Sequence, residues 1–135
     1  MKVIIDTNLW VSFLIGKRVR ALSRLLNNPD ITICVCDELF EEFRLVTQRR
    51  KFQGIIRLED VAAVLNLMRG CCVYAKIAGG SSSPVRDVKD LYLLSLAETV
   101  GADYIITGDK DLLALGRHHA TSIISFADFM SIMGL

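Results

Sequence analysis

Short apolar runs rich in β-branched residues recur along this chain, at 3–5, 31–35, 71–75, 104–107 and 122–125. Between them lie segments whose apolar residues repeat at helical spacing, at 9–15, 20–27, 38–50, 58–68, about 87–100 and 110–115, with a last one at 126–133. Strands alternating with helices predict a parallel sheet covered on both faces. The expected fold is therefore α/β, a three-layer α/β/α sandwich of Rossmann-like type with a central parallel sheet of four to five strands. At 135 residues, 52% apolar and 23% charged, the chain suits one domain over 1–135 with a sizeable core.

Local punctuation fits this plan. Asn8 is placed to cap the first helix and Asp37 the third. Gly16-Lys17-Arg18 breaks the first helix, and Asn28-Pro29-Asp30 makes a turn. Gly70 is expected to end the helix that starts near Glu59-Asp60. The stretch 79–84, Gly-Gly-Ser-Ser-Ser-Pro, reads as a flexible loop within the domain.

The first run, Val3-Ile4-Ile5, stops abruptly at Asp6-Thr7-Asn8. A strand buried on both faces thus delivers an acid where it leaves the core. In open α/β sheets, ligands bind at the carboxyl ends of the strands. Three more acids hold comparable positions. Glu42 is on the helix after strand two, Asp90 starts the helix after strand three, and Asp109 follows strand four. Together they can gather at one edge of the sheet.

Gathered carboxylates repel, and burial raises the cost. A cation offsets this. Mg²⁺ and Mn²⁺ prefer oxygen donors, and a metal on phosphate polarises the phosphoryl oxygen and activates water. The set therefore points to metal-assisted phosphodiester hydrolysis. The plainer reading is that each acid serves as a helix cap or a dipole partner, as Asp87, Asp90 and Asp111 all could. Asp6 resists that reading most, because the strand gives way to it with no turn residue between.

Other chemistry is excluded or weak. Net charge is +1, so no global basic field argues for nucleic acid. Arg44, Arg49, Arg50 and Lys51 form a local basic surface on the second half of the third helix, suited to an RNA backbone or simply to solvent. GxGxxG and GxxxxGK[ST] are absent. His118-His119 reads as a surface feature of a late loop. The four cysteines, Cys34, Cys36, Cys71 and Cys72, lack zinc spacing and read as buried free thiols of a reducing cytoplasm. No run is long enough for a membrane span, and no secretion signal is evident.

The motifs resemble the PIN-domain family. Three blocks carry the match: Val3-Ile4-Ile5-Asp6-Thr7-Asn8, Leu39-Phe40-Glu41-Glu42-Phe43, and Arg86 through Asp90 to Ala102-Asp103-Tyr104-Ile105-Ile106-Thr107-Gly108-Asp109-Lys110-Asp111-Leu112-Leu113. The chain looks most like the small single-domain (VapC-like) toxin components of prokaryotic toxin–antitoxin pairs. That resemblance implies a PIN-like fold and a cytoplasmic ribonuclease with a Mg²⁺ or Mn²⁺ site. Asp6, Glu42, Asp90 and Asp109 match the family's four acids, with Asp6, Asp90 and Asp109 as metal ligands. Asn8, Asp87, Thr107 and Asp111 would support them. It further implies RNA as substrate, an antitoxin protein as partner, and a homodimer or higher homo-oligomer. Cys36 departs from the family, where a serine or threonine often caps the helix.

Two alternatives remain at this point. One is a PIN-like binding module without catalysis. The other is aspartate-based phosphotransfer on Asp6, which ordinarily needs a second acid where Asn8 stands. Trp10, Phe13 and Leu14, or the terminal Phe126, Phe129, Met130 and Met133, are candidate contact surfaces if they are not core.

Overall fold

The computed structural model describes residues 1–16, 19–77 and 88–135, and only the backbone at 19, 20 and 88–90. The Arg18 side of the first break, the 79–84 loop and Asp87 therefore lie outside the described residues, as does the side chain of Asp90. Strand β1 (Lys2–Ile5) leads into helices α1 (Thr7–Ile15) and α2 (Val19–Asn27). Strand β2 (Thr32–Val35) is followed by α3 (Asp37–Thr47), a 3₁₀ turn (Arg50–Phe52), α4 (Leu58–Cys71) and β3 (Val73–Tyr74). Next come α5 (Val88–Val100), β4 (Tyr104–Ile106) and α6 (Lys110–Leu115). A hairpin of β5 (Arg117–His118) and β6 (Thr121–Ile124) precedes α7 (Phe126–Met133).

The sheet order is β3-β2-β1-β4-β6-β5. All neighbours run parallel except β5, which is antiparallel to β6. The chain steps outward from β1 to β3, then returns across β1 to β4 and β6. With right-handed crossovers, that reversal puts α1 to α4 on one face and α5 with α6 on the other. The sheet is thus mixed, mostly parallel and flanked by helices.

The core explains why these segments form these elements. Val3, Ile4, Ile5, Ile33, Cys34, Val35, Ile105 and Ile106 are all buried, so the central strands show no polar face. Trp10, Phe13, Leu39, Phe43, Leu93 and Leu96 cover them from the helices, each at most 2% exposed. Phe13 meets Phe126 edge-on at 5.5 Å between ring centres, and Tyr104 meets Phe129 at 5.8 Å. Trp10, Phe13 and Phe129 are therefore core residues, with Leu14, Phe126, Met130 and Met133 partly buried against them.

Several local expectations need correction. Among the described residues the five parallel strands are those expected, and 117–118 adds a sixth, antiparallel strand at the edge. Gly116, at φ +71°, reverses the chain, and its carbonyl accepts from Ile123 N at 2.9 Å. Helix α4 runs through Gly70 to Cys71. The fully buried Met68 holds that last turn by packing, which outweighs glycine's weak propensity. Strand β3 shrinks to Val73–Tyr74 as a result. Cys34 and Cys36 are buried, but Cys71 is exposed and Cys72 only half-buried. Helix α3 stops at Thr47, where the hydroxyl donates to Arg44 O at 2.9 Å. The amides of Gln48 and Arg49 fold back on Leu45 O and Val46 O, tightening the helix to its end. Arg49, Arg50 and Lys51 thus belong to the following turn and not to the helix.

The caps also shift by a residue or two. Asp6, not Asn8, holds the N-cap position of α1, and Cys36, not Asp37, that of α3. Neither side chain makes a cap hydrogen bond. Asp37 is already helical, and its Oδ2 accepts from the Tyr74 hydroxyl at 2.7 Å.

Candidate functional site

The register of β1 and β4 builds the site. Ile5 pairs with Ile106, so the next residues out, Asp6 and Thr107, emerge side by side. The Asp6 amide donates to Ile106 O at 2.9 Å, and the Thr107 amide to Ile124 O at 3.0 Å. These bonds hold both residues at the carboxyl edge of the sheet. β1 and β4 flank the point where strand order reverses, the position where α/β sheets open a crevice.

Thr107 is fully buried and bridges the two acids. Its hydroxyl donates to Asp6 Oδ2 at 2.7 Å and accepts from the Asp109 amide at 3.0 Å. Asp109 is half-buried, and its Oδ2 caps α6 by accepting from Leu112 N at 2.9 Å. Its role as a helix cap is therefore real, but it occupies one oxygen. The other makes no hydrogen bond among the described residues.

Asp6 is 3% exposed. Burial pushes its carboxyl pKa above the usual value, and the charge of Asp109 pushes the same way. The Thr107 hydroxyl and the nearby Thr7 and Asn8 amides pull it back without overcoming burial. No ion pair neutralises Asp6 among the described residues. Two carboxylates thus converge where a hard, oxygen-seeking cation would relieve both.

Tyr92, on the second turn of α5, escaped the reading of the sequence. Its hydroxyl lies 3.0 Å from the Thr7 hydroxyl, and burial holds its pKa far above normal. The charges of Glu42 and Asp6 both add to that rise. Glu42, half-buried on α3, therefore faces the same corner as Asp6. Only the spacing Asp90-Leu91-Tyr92 could have drawn attention to it, and tyrosine on an apolar helix looks like core. Asp90 lies in the first turn of α5, which packs on β1 and β4.

The remaining residues sit outside this corner's bonded network. Asn8 and Asp111 are exposed in the first turns of α1 and α6. Arg44 pairs with Glu41 at 3.0 Å on the surface of α3, a contact worth well under about 1 kcal/mol. Arg49, Arg50 and Lys51 are exposed, with Lys51 Nζ 5.0 Å from the Phe52 ring centre. His118, expected at the surface, is 7% exposed and pairs with Glu98 at 3.1 Å.

Comparison with known proteins agrees with this geometry. The family model described as "PIN domain" matches residues 2–111, most of the chain. The chain belongs to the PIN-domain family. The matched stretch holds both Asp6 and Asp109 and ends within α6. A chain in the crystal structure of VapBC2 from Rickettsia felis bound to a DNA fragment from their promoter has a similar fold. Its TM-score is 0.56 at 16% identity, covering 91% of this PIN domain and 97% of that chain. No curated protein matches the sequence. Among the described residues of this PIN domain, no helix is long and apolar enough to cross a membrane.

Proposed function

We propose that this PIN domain, a single domain over 1–135, is a cytoplasmic, Mg²⁺- or Mn²⁺-dependent endoribonuclease, the toxin component of a toxin–antitoxin pair. One observation carries the reading: buried Asp6 is joined through Thr107 to Asp109 at the sheet's switch point. PIN domains are generally nucleases, and the fold is shared with a chain of a VapBC complex.

In this reading Asp6, Asp90 and Asp109 hold the metal, and Glu42 completes the catalytic set. The bound ion supplies Lewis acidity at a phosphoryl oxygen and lowers the pKa of water. The chain's own residues set the stage for that chemistry. Thr107 orients Asp6 and ties it to the backbone of Asp109. Tyr92 and Thr7 close the floor of the corner beside Glu42. Asn8, Asp87 and Asp111 act as supporting residues, and Arg44, Arg49, Arg50 and Lys51 steer the RNA backbone. An antitoxin protein blocks the acidic corner, and the domain works as a homodimer or higher homo-oligomer.

The test is cleavage of single-stranded RNA by the purified protein with Mn²⁺ or Mg²⁺. EDTA is expected to abolish it, and Asp6→Asn, purified in the same way and shown folded by circular dichroism, to lack it. Undiminished cleavage by Asp6→Asn would show that the active site lies elsewhere.

A further inference from the structure

The amino-terminal edge of the sheet, opposite the acids, carries a second constellation. Glu98 near the end of α5, His118 in β5 and His119 in the hairpin turn meet there. The Nε2 atoms of the two histidines approach Glu98 Oε1 at 3.1 and 3.0 Å. The three candidate ligand atoms all lie within 4.8 Å of one another. They line a cleft of about 410 Å³ with Ala97, Asp103 and Thr121. Asp103 is already engaged, because its Oδ2 accepts from the Lys2 amide at 2.8 Å.

We propose that Glu98, His118 and His119 form a binding site for a divalent transition ion of the Zn²⁺ class, separate from the acid site. Two imidazoles and one carboxylate are a donor set suited to zinc with a fourth position left to water. Mg²⁺ prefers an all-oxygen shell and would favour the acids instead. Two of the three spacings fit as well. Metal bonds of roughly 2.0–2.1 Å at angles of roughly 90–110° place neighbouring ligand atoms roughly 2.9–3.4 Å apart. Both imidazole–carboxylate separations fall in that range.

The backbone supplies an independent sign. His119 has φ +54°, and no other described non-glycine residue has a positive φ. It occupies the first position of a two-residue hairpin loop, where a positive φ ordinarily selects glycine. A histidine kept in that conformation turns its ring onto Glu98 and against His118, with ring centres 4.5 Å apart. Both histidines lie beyond the stretch the PIN-domain model matches. The site would pin the end of α5 to the β5–β6 hairpin.

Tag-free, metal-stripped protein tests this, as wild type and in an Asp6→Asn background that disables the acid site. Co²⁺ is followed by absorption and Zn²⁺ by calorimetry, with Mg²⁺ as the contrast. One ion per chain is expected in the Asp6→Asn background, with visible Co²⁺ bands but no thiolate charge-transfer band. Mg²⁺ is expected not to compete. His119→Ala and Glu98→Gln alter exposed side chains, so both are expected to fold. Each should weaken Zn²⁺ binding at least about tenfold, since even groups behind the ligands cost that much. The proposal is overturned by failure to bind Zn²⁺, by unchanged affinity in both variants, or by a thiolate band pointing to Cys71 and Cys72. None of these results depends on RNA cleavage, so the site stands or falls apart from the nuclease reading.

Discussion

Replacing Thr107 by valine isolates the bridge between the two acids. The shapes are nearly equal, so packing is preserved and the methyl gain is small. Two hydrogen bonds vanish, the 2.7 Å donation to Asp6 and the 3.0 Å acceptance from the Asp109 amide. A bond to a charged partner contributes about 1.5–3 kcal/mol, and stranding a partly buried amide costs at least about 1 kcal/mol. The expected loss is therefore about 3 kcal/mol. For a domain of this size that is a drop of roughly 10–15 °C in Tm. Thr107→Ser keeps both bonds and gives up one methyl, costing about 1 kcal/mol. Urea unfolding of the metal-free protein near neutral pH, read by circular dichroism, ranks the three. Hydrogen bonding predicts threonine above serine above valine. Burial alone predicts valine at least equal to threonine and serine last, and that order would refute the bridge.

Two further outcomes follow from the same corner. The Asp6 carboxyl has a folded pKa above its unfolded value. Its contribution to metal-free stability is therefore full below the ordinary carboxyl value of 3.8 and lost as pH rises through the elevated folded value. Asp6→Asn should remove that decline, and unfolding measured across the acid range should show a flatter profile; an unchanged slope would mean that Asp6 is not the titrating group. Tyr92→Phe should cost about 1 kcal/mol through the lost contact with Thr7. It should leave intact the rise in Tm expected on adding Mn²⁺, whereas Asp6→Asn should abolish it; equal loss in both would assign Tyr92 to the metal itself.

Elements with strong local signals were legible in the residues. The β-branched runs at 3–5 and 104–107 became β1 and β4, and the pattern at 126–133 became α7. Signals failed where tertiary contacts outweighed propensity. Gly70 looked like a helix end until Met68 anchored the turn beyond it. Arg117-His118 carried no strand pattern, and pairing with β6 made it one. The acids fared similarly. Asp6 and Asp109 stood out because each follows an apolar strand without a gap of more than a few residues. Tyr92 and Glu98 did not, because nothing in a helix's own sequence marks which of its residues will meet a distant chain segment.

The sequence by itself determined the alternation of strands and helices, and hence that acids following β1 and β4 would leave the sheet at one edge. That follows from side-chain periodicity and backbone geometry, which act over a few residues. Only the tertiary structure decided that Asp6 and Thr107, 101 residues apart, would lie abreast, and that His118 and His119 would turn onto Glu98. Those meetings depend on strand register and hairpin geometry, and both are settled only when distant segments pack against each other.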